Sequence, residues 1–168
     1  MQTATKDGPP SPWLAALRAY FMVVGMGNLV WEAAQFPLYT IWGDGSREHL
    51  ALALMHGTLG DVAIAGAALA IALALFGDHG WPGKTAWRVA IPVVLFGLAY
   101  TIYSEWINVE IRHTWTYSDL MPRLPPLGIG ASPLLQWIVI PPLALWVARR
   151  RALLSPTFGS ARKTARST

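Results

Sequence analysis

The sequence predicts an all-α polytopic membrane protein, a four-transmembrane-helix bundle with a long outer loop between helices 3 and 4. Three observations predict it. The chain has 168 residues, 54% hydrophobic and 13% charged, against roughly 25% charged in soluble domains. Four apolar segments, near residues 14–40, 49–77, 87–112 and 133–149, each reach the ~20 residues that cross a bilayer as helix. They use most of the chain, so residues 1–154 read as one bundle domain and residues 155–168 as a disordered basic tail.

The first segment opens on Ser11-Pro12, a capping serine followed by a first-turn proline. A helix reaching Trp42 would be about 45 Å long at 1.5 Å per residue, too long for one straight span, so Pro37 is expected to bend or end it. Ser46 caps the second segment, whose middle (Gly57, Gly60, Ala63, Ala65, Gly66, Ala67, Ala68, Ala70) is small enough for close helix approach. Gly77-Asp78-His79-Gly80-Trp81-Pro82-Gly83 reads as a turn. The third segment runs from Trp87 to Arg112. Between His113 and Ala131, Pro122, Pro125, Pro126, Gly128 and Gly130 forbid a continuous helix. The apolar Trp115, Tyr117, Leu120, Met121, Leu124 and Leu127 predict that this loop folds back over the bundle as a lid. Ser132-Pro133 restarts a helix. Pro141-Pro142 is expected to interrupt it and to free the carbonyls of Trp137 and Ile138.

Positive charge orients the bundle. Lys6, Arg18, Lys84, Arg88, Arg149, Arg150, Arg151, Arg162, Lys163 and Arg166 fall on one side, and Arg47, Arg112 and Arg123 on the other. Both termini are thus expected in the cytoplasm. The net charge of +4 is explained by this bias, and Arg149–Arg151 by attraction to anionic headgroups, so nucleic acid is not an expected partner. Trp13, Trp81, Trp87 and Trp146 mark one interface and Trp42 and Trp115 the other, whereas Trp31, Trp106 and Trp137 lie deeper. The absence of cysteine excludes disulfides, thiolate metal sites and cysteine nucleophiles.

Within this apolar frame Glu32, His56, Asp61 and Glu105 interrupt the spans near one end. Ionisable groups at membrane depth usually face a partner or a cavity. Asn28, Glu32 and Gln35 share one helix face at i, i+4 and i+7, as do Thr101, Glu105, Asn108 and Arg112. Gln136 enters from the fourth helix, and Tyr117, Ser118 and Asp119 hang from the loop. These groups predict a polar pocket in the outer half. The inner half, built of Ala, Leu, Ile and Val, offers nothing to line a pore, which argues against proton-coupled transport.

A buried carboxylic acid beside a base is acid–base machinery. Glu32 or Glu105 as acid with His56–Asp61 as base is the expected catalytic set. Asn28, Trp31, Gln35, Trp106, Asn108, Tyr117, Asp119 and Gln136 are the expected substrate contacts. An isomerase, cyclase or hydrolase of a membrane lipid, isoprenoid or other apolar small molecule is one reading. The other is a non-catalytic accessory or assembly subunit, or a ligand-binding membrane protein, in which the cluster specifies helix packing and a membrane-protein partner or second copy joins it. A lone intramembrane His with carboxylates makes a thin metal shell, so no metal or cofactor is expected.

Trp31-Glu32-x-x-Gln35-x-Pro37-Leu38-Tyr39, the His56–Asp61 segment and Tyr117-Ser118-Asp119-Leu120-Met121-Pro122 resemble a group of small, functionally unassigned four-helix bacterial membrane proteins. The resemblance spans most of the chain. It implies a bacterial inner-membrane location and nothing about activity. A looser likeness of arrangement exists to the emopamil-binding, sterol-isomerase type of bundle, which also sets a His, acidic groups and Trp in a membrane pocket. That type has five spans rather than four, and the likeness assigns no residue a role.

Overall fold

The computed structural model describes residues 11–83 and 85–154. The expected tail and the basic residues Lys6, Lys84, Arg162, Lys163 and Arg166 lie outside them. Helix α1 spans Pro12–Gln35, α2 Arg47–Phe76, α3 Ala86–Trp106 and α4 Ala131–Leu153. Each, with the turns that extend α1 to Leu38 and α3 to Ile111, is long and apolar enough to cross a membrane. The chain is a multi-pass membrane protein of four helices. A helix satisfies its own backbone polar groups, which hydrocarbon demands.

Helix starts follow local chemistry. The Leu14 N–H donates to Ser11 Oγ at 3.3 Å, and the His49 N–H to Ser46 Oγ at 3.2 Å. Pro37 ends the α-helical course of α1, and Phe36–Leu38 continues as one 3-10 turn. A short helical turn, Ile41–Asp44, leads to α2. Helix α3 widens into a π-helical turn over Ile107–Ile111.

The expected interruption at Pro141-Pro142 is not found, because α4 runs unbroken from Ala131 to Leu153. Both prolines sit where φ near −65° already suits a helix. The cost falls on the missing N–H donors rather than on the helix path, and buried packing of Ile140, Pro141, Ala144 and Leu145 holds the course.

The four helices form a ring. Helix α1 contacts α4 most extensively and also α2, and α3 contacts α2 and α4. At the end bearing the chain termini the interior is apolar: Ala16, Tyr20, Val24, Ala65, Ala68, Leu69, Ala72, Val89, Val93, Ala144 and Ala148 are buried. The Tyr20 hydroxyl there donates to the Ala65 carbonyl at 3.1 Å. Asp78 organises the α2–α3 turn. It accepts from the Gly80 N–H and the Thr85 hydroxyl, both at 2.7 Å, and these bonds hold its carboxyl below the ordinary carboxylate range. At the opposite, loop end the α3–α4 connection folds across the bundle. Arg123–Leu124 (β1) pairs antiparallel with Ile129–Gly130 (β2), Arg123 opposite Gly130.

One close approach fixes α3 against α4. The Trp137 ring lies on Gly97, where any Cβ would collide with it, and Trp137 is buried. Gly97→Ala is therefore expected to overpack this contact and destabilise the protein by about 1–3 kcal/mol. A lowered midpoint of thermal unfolding in mild detergent would register the loss, and an unchanged midpoint would contradict this account of the helix contact.

Candidate functional site

The loop end contains a cavity of about 650 Å³. All four helices and the α3–α4 loop contribute to its wall, including Glu32, Gln35, His56, Asp61, Glu105, Asn108 and Gln136.

Helix α1 presents the first side of the site. The Asn28 amide donates to the Val24 carbonyl of its own helix at 2.8 Å, which leaves its Oδ1 to accept from Gln136 Nε2 at 2.7 Å. The same nitrogen donates to Asp61 Oδ2 at 2.7 Å and reaches Glu32 Oε1 at 3.4 Å. An amide nitrogen has two hydrogens, so the bonds to Asn28 and Asp61 are the strong pair and Glu32 is the weaker third. Glu32 Oε1 also accepts from Gln35 Nε2 at 2.9 Å. Gln35 Oε1 in turn accepts from the Ser132 hydroxyl at 2.8 Å, and Ser132 Oγ from the Trp31 indole at 3.2 Å. A continuous chain of hydrogen bonds thus links α1, α4 and α2. The carboxyls of Glu32 and Asp61, from α1 and α2, thus meet at one nitrogen of α4.

Gly57 makes room for Glu32. A Cβ at Gly57 would lie 2.8 Å from Glu32 Oε2, so the carboxyl rests on bare backbone of α2.

Glu105 closes the opposite side from α3. Its Oε2 accepts from the Tyr117 hydroxyl, whose oxygen accepts the Gly130 N–H at 3.0 Å. Burial, and then the nearby Glu105 carboxyl, hold the Tyr117 phenol above its usual range, so it remains a donor. The same influences raise Tyr39, in the cavity wall beside it. The loop is pinned to the end of α1. The Ser118 hydroxyl donates to the Pro37 carbonyl and the Ser118 N–H to the Leu38 carbonyl, both at 2.9 Å, and the Thr40 N–H donates to the Thr116 carbonyl at 3.0 Å.

Glu32, His56, Asp61 and Glu105 all line the cavity, but not as expected from spacing. His56 is exposed on α2 and has no hydrogen-bond partner among the described residues. Asp61, one turn deeper, points to Gln136 instead, so the His56–Asp61 pairing does not form. Of the expected contacts, Gln35, Asn108 and Gln136 line the cavity, and Asn28, Trp31 and Tyr117 support it through the bonds above. Asn108 is braced by the Ser104 carbonyl at 2.8 Å and the Thr114 hydroxyl at 3.2 Å. Trp106 and Asp119 face away: both are exposed and neither lines the cavity. Tyr39, Ser132 and Trp115 were not anticipated. Ser132 read only as a helix start, and Trp115 as an interfacial residue of the apolar lid rather than as a site residue. Among the described residues no three His, Asp or Glu side chains converge as metal ligands.

The fold and site define a class: a multi-pass helical membrane protein with a carboxyl-rich cavity at one end of its bundle. No protein-family model, no curated protein and no solved structure matches the chain.

Gln136→Leu removes the shared donor and leaves Asn28 Oδ1 and Asp61 Oδ2 unpaired. A loss of about 1–3 kcal/mol is expected, read as a lower unfolding midpoint in detergent. Asp119→Asn, at an exposed side chain, is expected to shift that midpoint by less than about 0.5 kcal/mol. Equal effects of the two would argue against the bridge.

Proposed function

We propose that this protein is a membrane-embedded acid–base enzyme acting on an apolar lipid or isoprenoid. The observation that carries the reading is the pair Glu32–Asp61, two carboxyls from different helices held by one amide nitrogen inside a cavity between membrane-spanning helices. Two carboxyls that meet one amide nitrogen can divide the roles of acid and base between them. Glu105, braced by Tyr117, supplies a third carboxyl. Protonation of a substrate carbon by one carboxyl and removal of a proton by another conserves the enzyme's protons, and passage of the proton back between the neighbouring carboxyls resets it, as isomerisation and cyclisation require. Hydrolysis can use the same pair, one carboxyl drawing a proton from water and the other giving one to the leaving group, so the reaction class is an isomerase, a cyclase or a hydrolase.

A second reading has its own support. The bonds from Gln136 to α1 and α2 are also what a purely structural brace between helices would need, which favours a non-catalytic accessory subunit or lipid-binding protein. The two readings separate by experiment. Protein reconstituted with lipid extract from its host is expected to yield a product, detected by mass spectrometry, that Glu32→Gln, Asp61→Asn and Glu105→Gln abolish while folding persists. Identical lipid profiles from folded wild type and variants would sink the enzymatic reading, and a protein partner retained in mild detergent would favour the second.

The resemblance to small bacterial membrane proteins supports a bacterial inner membrane. Both termini are assigned to the cytoplasm because Arg18, Arg88 and Arg149–Arg151 lie at the terminal end of the bundle. Arg88 and Arg150 also stack on Trp87 and Trp146, 5.7 and 5.2 Å from the ring centroids, as interfacial anchors do. Because the chain has no cysteine, single substitutions test this directly. In intact spheroplasts an impermeant maleimide is expected to label Leu120→Cys and to label His79→Cys only after permeabilisation. The reverse pattern would invert the orientation.

A further inference from the structure

A second recess lies at the terminal end of the bundle, away from the carboxyl-rich cavity. It is an open groove of about 510 Å³ between the end of α2 and the start of α3. Leu75 and Phe76 close the span of α2, and Trp87, Arg88, Ile91 and Pro92 open that of α3. The groove therefore straddles the boundary between hydrocarbon and headgroups. Its floor is apolar, and Leu75 and Ile91 are exposed there, against the surrounding acyl chains. Asp78 joins the groove from the connecting turn.

Two opposite charges stand at this floor without satisfying each other. Arg88 Nη1 lies 3.9 Å from Asp78 Oδ2, and the two side chains are 56% and 39% exposed. That distance is beyond hydrogen-bond reach, and exposed pairs of this kind contribute little by themselves. Asp78 Oδ1 accepts from the Gly80 N–H and the Thr85 hydroxyl. These bonds fix the carboxylate, keep it ionised and leave Oδ2 facing Arg88. The guanidinium rests over the Trp87 ring, 5.7 Å from its centroid. That contact uses its charge and none of its N–H donors.

The backbone adds an independent acceptor. Pro92 lies inside α3 and has no N–H to give the Arg88 carbonyl one turn before it. Arg88 and Pro92 both line the groove, so the freed carbonyl lies on that face of the helix. Acyl chains offer it no donor. The groove thus sets a cationic fork, a carboxylate oxygen and a carbonyl at headgroup level above an apolar slot.

We propose that this groove seats one zwitterionic membrane phospholipid, phosphatidylethanolamine. Its phosphate accepts from the Arg88 guanidinium, whose planar fork matches phosphate oxygens. Its ammonium donates to Asp78 Oδ2 and to the Arg88 carbonyl, and an acyl chain lies along Leu75, Phe76 and Ile91. The Asp78 carboxylate selects against a headgroup of net negative charge. A choline headgroup carries the same charges but has no N–H for the two acceptors. The bound lipid ties the α2–α3 turn to the leaflet at the terminal end. It does so whatever the loop-end cavity holds or turns over.

The test titrates the purified full chain in mild detergent with dioleoyl phosphatidylethanolamine, phosphatidylcholine and phosphatidylglycerol, and native mass spectrometry counts the bound lipid. The ethanolamine lipid is expected to bind at least about threefold more tightly than the other two, a modest factor that suits exposed charged contacts. Arg88→Gln is expected to weaken the ethanolamine and choline lipids by a similar factor. Asp78→Asn keeps an oxygen for Gly80 and Thr85. It is expected to erase the preference for ethanolamine over choline and to strengthen binding of the glycerol lipid. Glycerophosphoethanolamine, the same headgroup without chains, is expected to displace nothing. Equal binding of the three lipids would overturn the proposal, as would undiminished ethanolamine affinity in folded Arg88→Gln. That variant keeps the test open if Asp78→Asn does not fold. Displacement by the chainless headgroup would also overturn it, because the apolar slot would then have no part in binding.

Discussion

The architecture of the loop end depends on one amide group. Gln136 is 2% exposed, and its nitrogen is the point where α1, α2 and α4 meet through polar atoms. In hydrocarbon the alternative to these bonds is an unpaired polar atom, and such atoms are costly. Apolar contact alone distinguishes poorly between helix rotations in a bilayer, because lipid tails are as apolar as Leu. The Asn28–Gln136–Asp61 bridge specifies one rotation. With it set, Glu32 falls beside Asp61 and rests on Gly57, and the cavity acquires its shape.

The second constraint comes from outside the helices. The Tyr117 hydroxyl, between the Glu105 carboxyl and the Gly130 N–H, ties the loop to α3, while the Ser118 and Thr116 contacts tie it to the end of α1. The loop is therefore part of the cavity wall. Its outward side chains Leu120, Leu124 and Leu127 are exposed, as suits a segment resting against the bilayer interface rather than free in water.

Much of this was legible in the chain before any coordinates. Long apolar runs gave four helices, and Ser11 and Ser46 gave the starts of the first two, because those signals are local. The i, i+4, i+7 spacing of Asn28, Glu32 and Gln35 placed them on one face, and a shared end could be read from the alternating direction of successive spans. Pro141-Pro142 misled because a proline's local cost says nothing about the packing that holds the helix through it. The partner of Asp61 was also misread. It stands five positions after His56, which points the two in different directions around α2, and its hydrogen-bond partner lies 75 residues away in sequence. Ser132 and Tyr117 carry long-range bonds of the same kind, to Gln35 and Glu105, that no spacing rule encodes.

The cavity wall includes His56 and Tyr100, both exposed side chains of membrane-spanning helices, which has a consequence for any molecule that reaches the chamber beside them. A molecule entering there comes from the acyl-chain region and never passes through bulk water. Each methylene of a dissolved tail has already gained about 0.8 kcal/mol on entering the bilayer, so the relevant abundance is a mole fraction among lipids. A contact that would look feeble in an aqueous titration then suffices for occupancy, and discrimination is left to the few polar atoms at the head of the chamber.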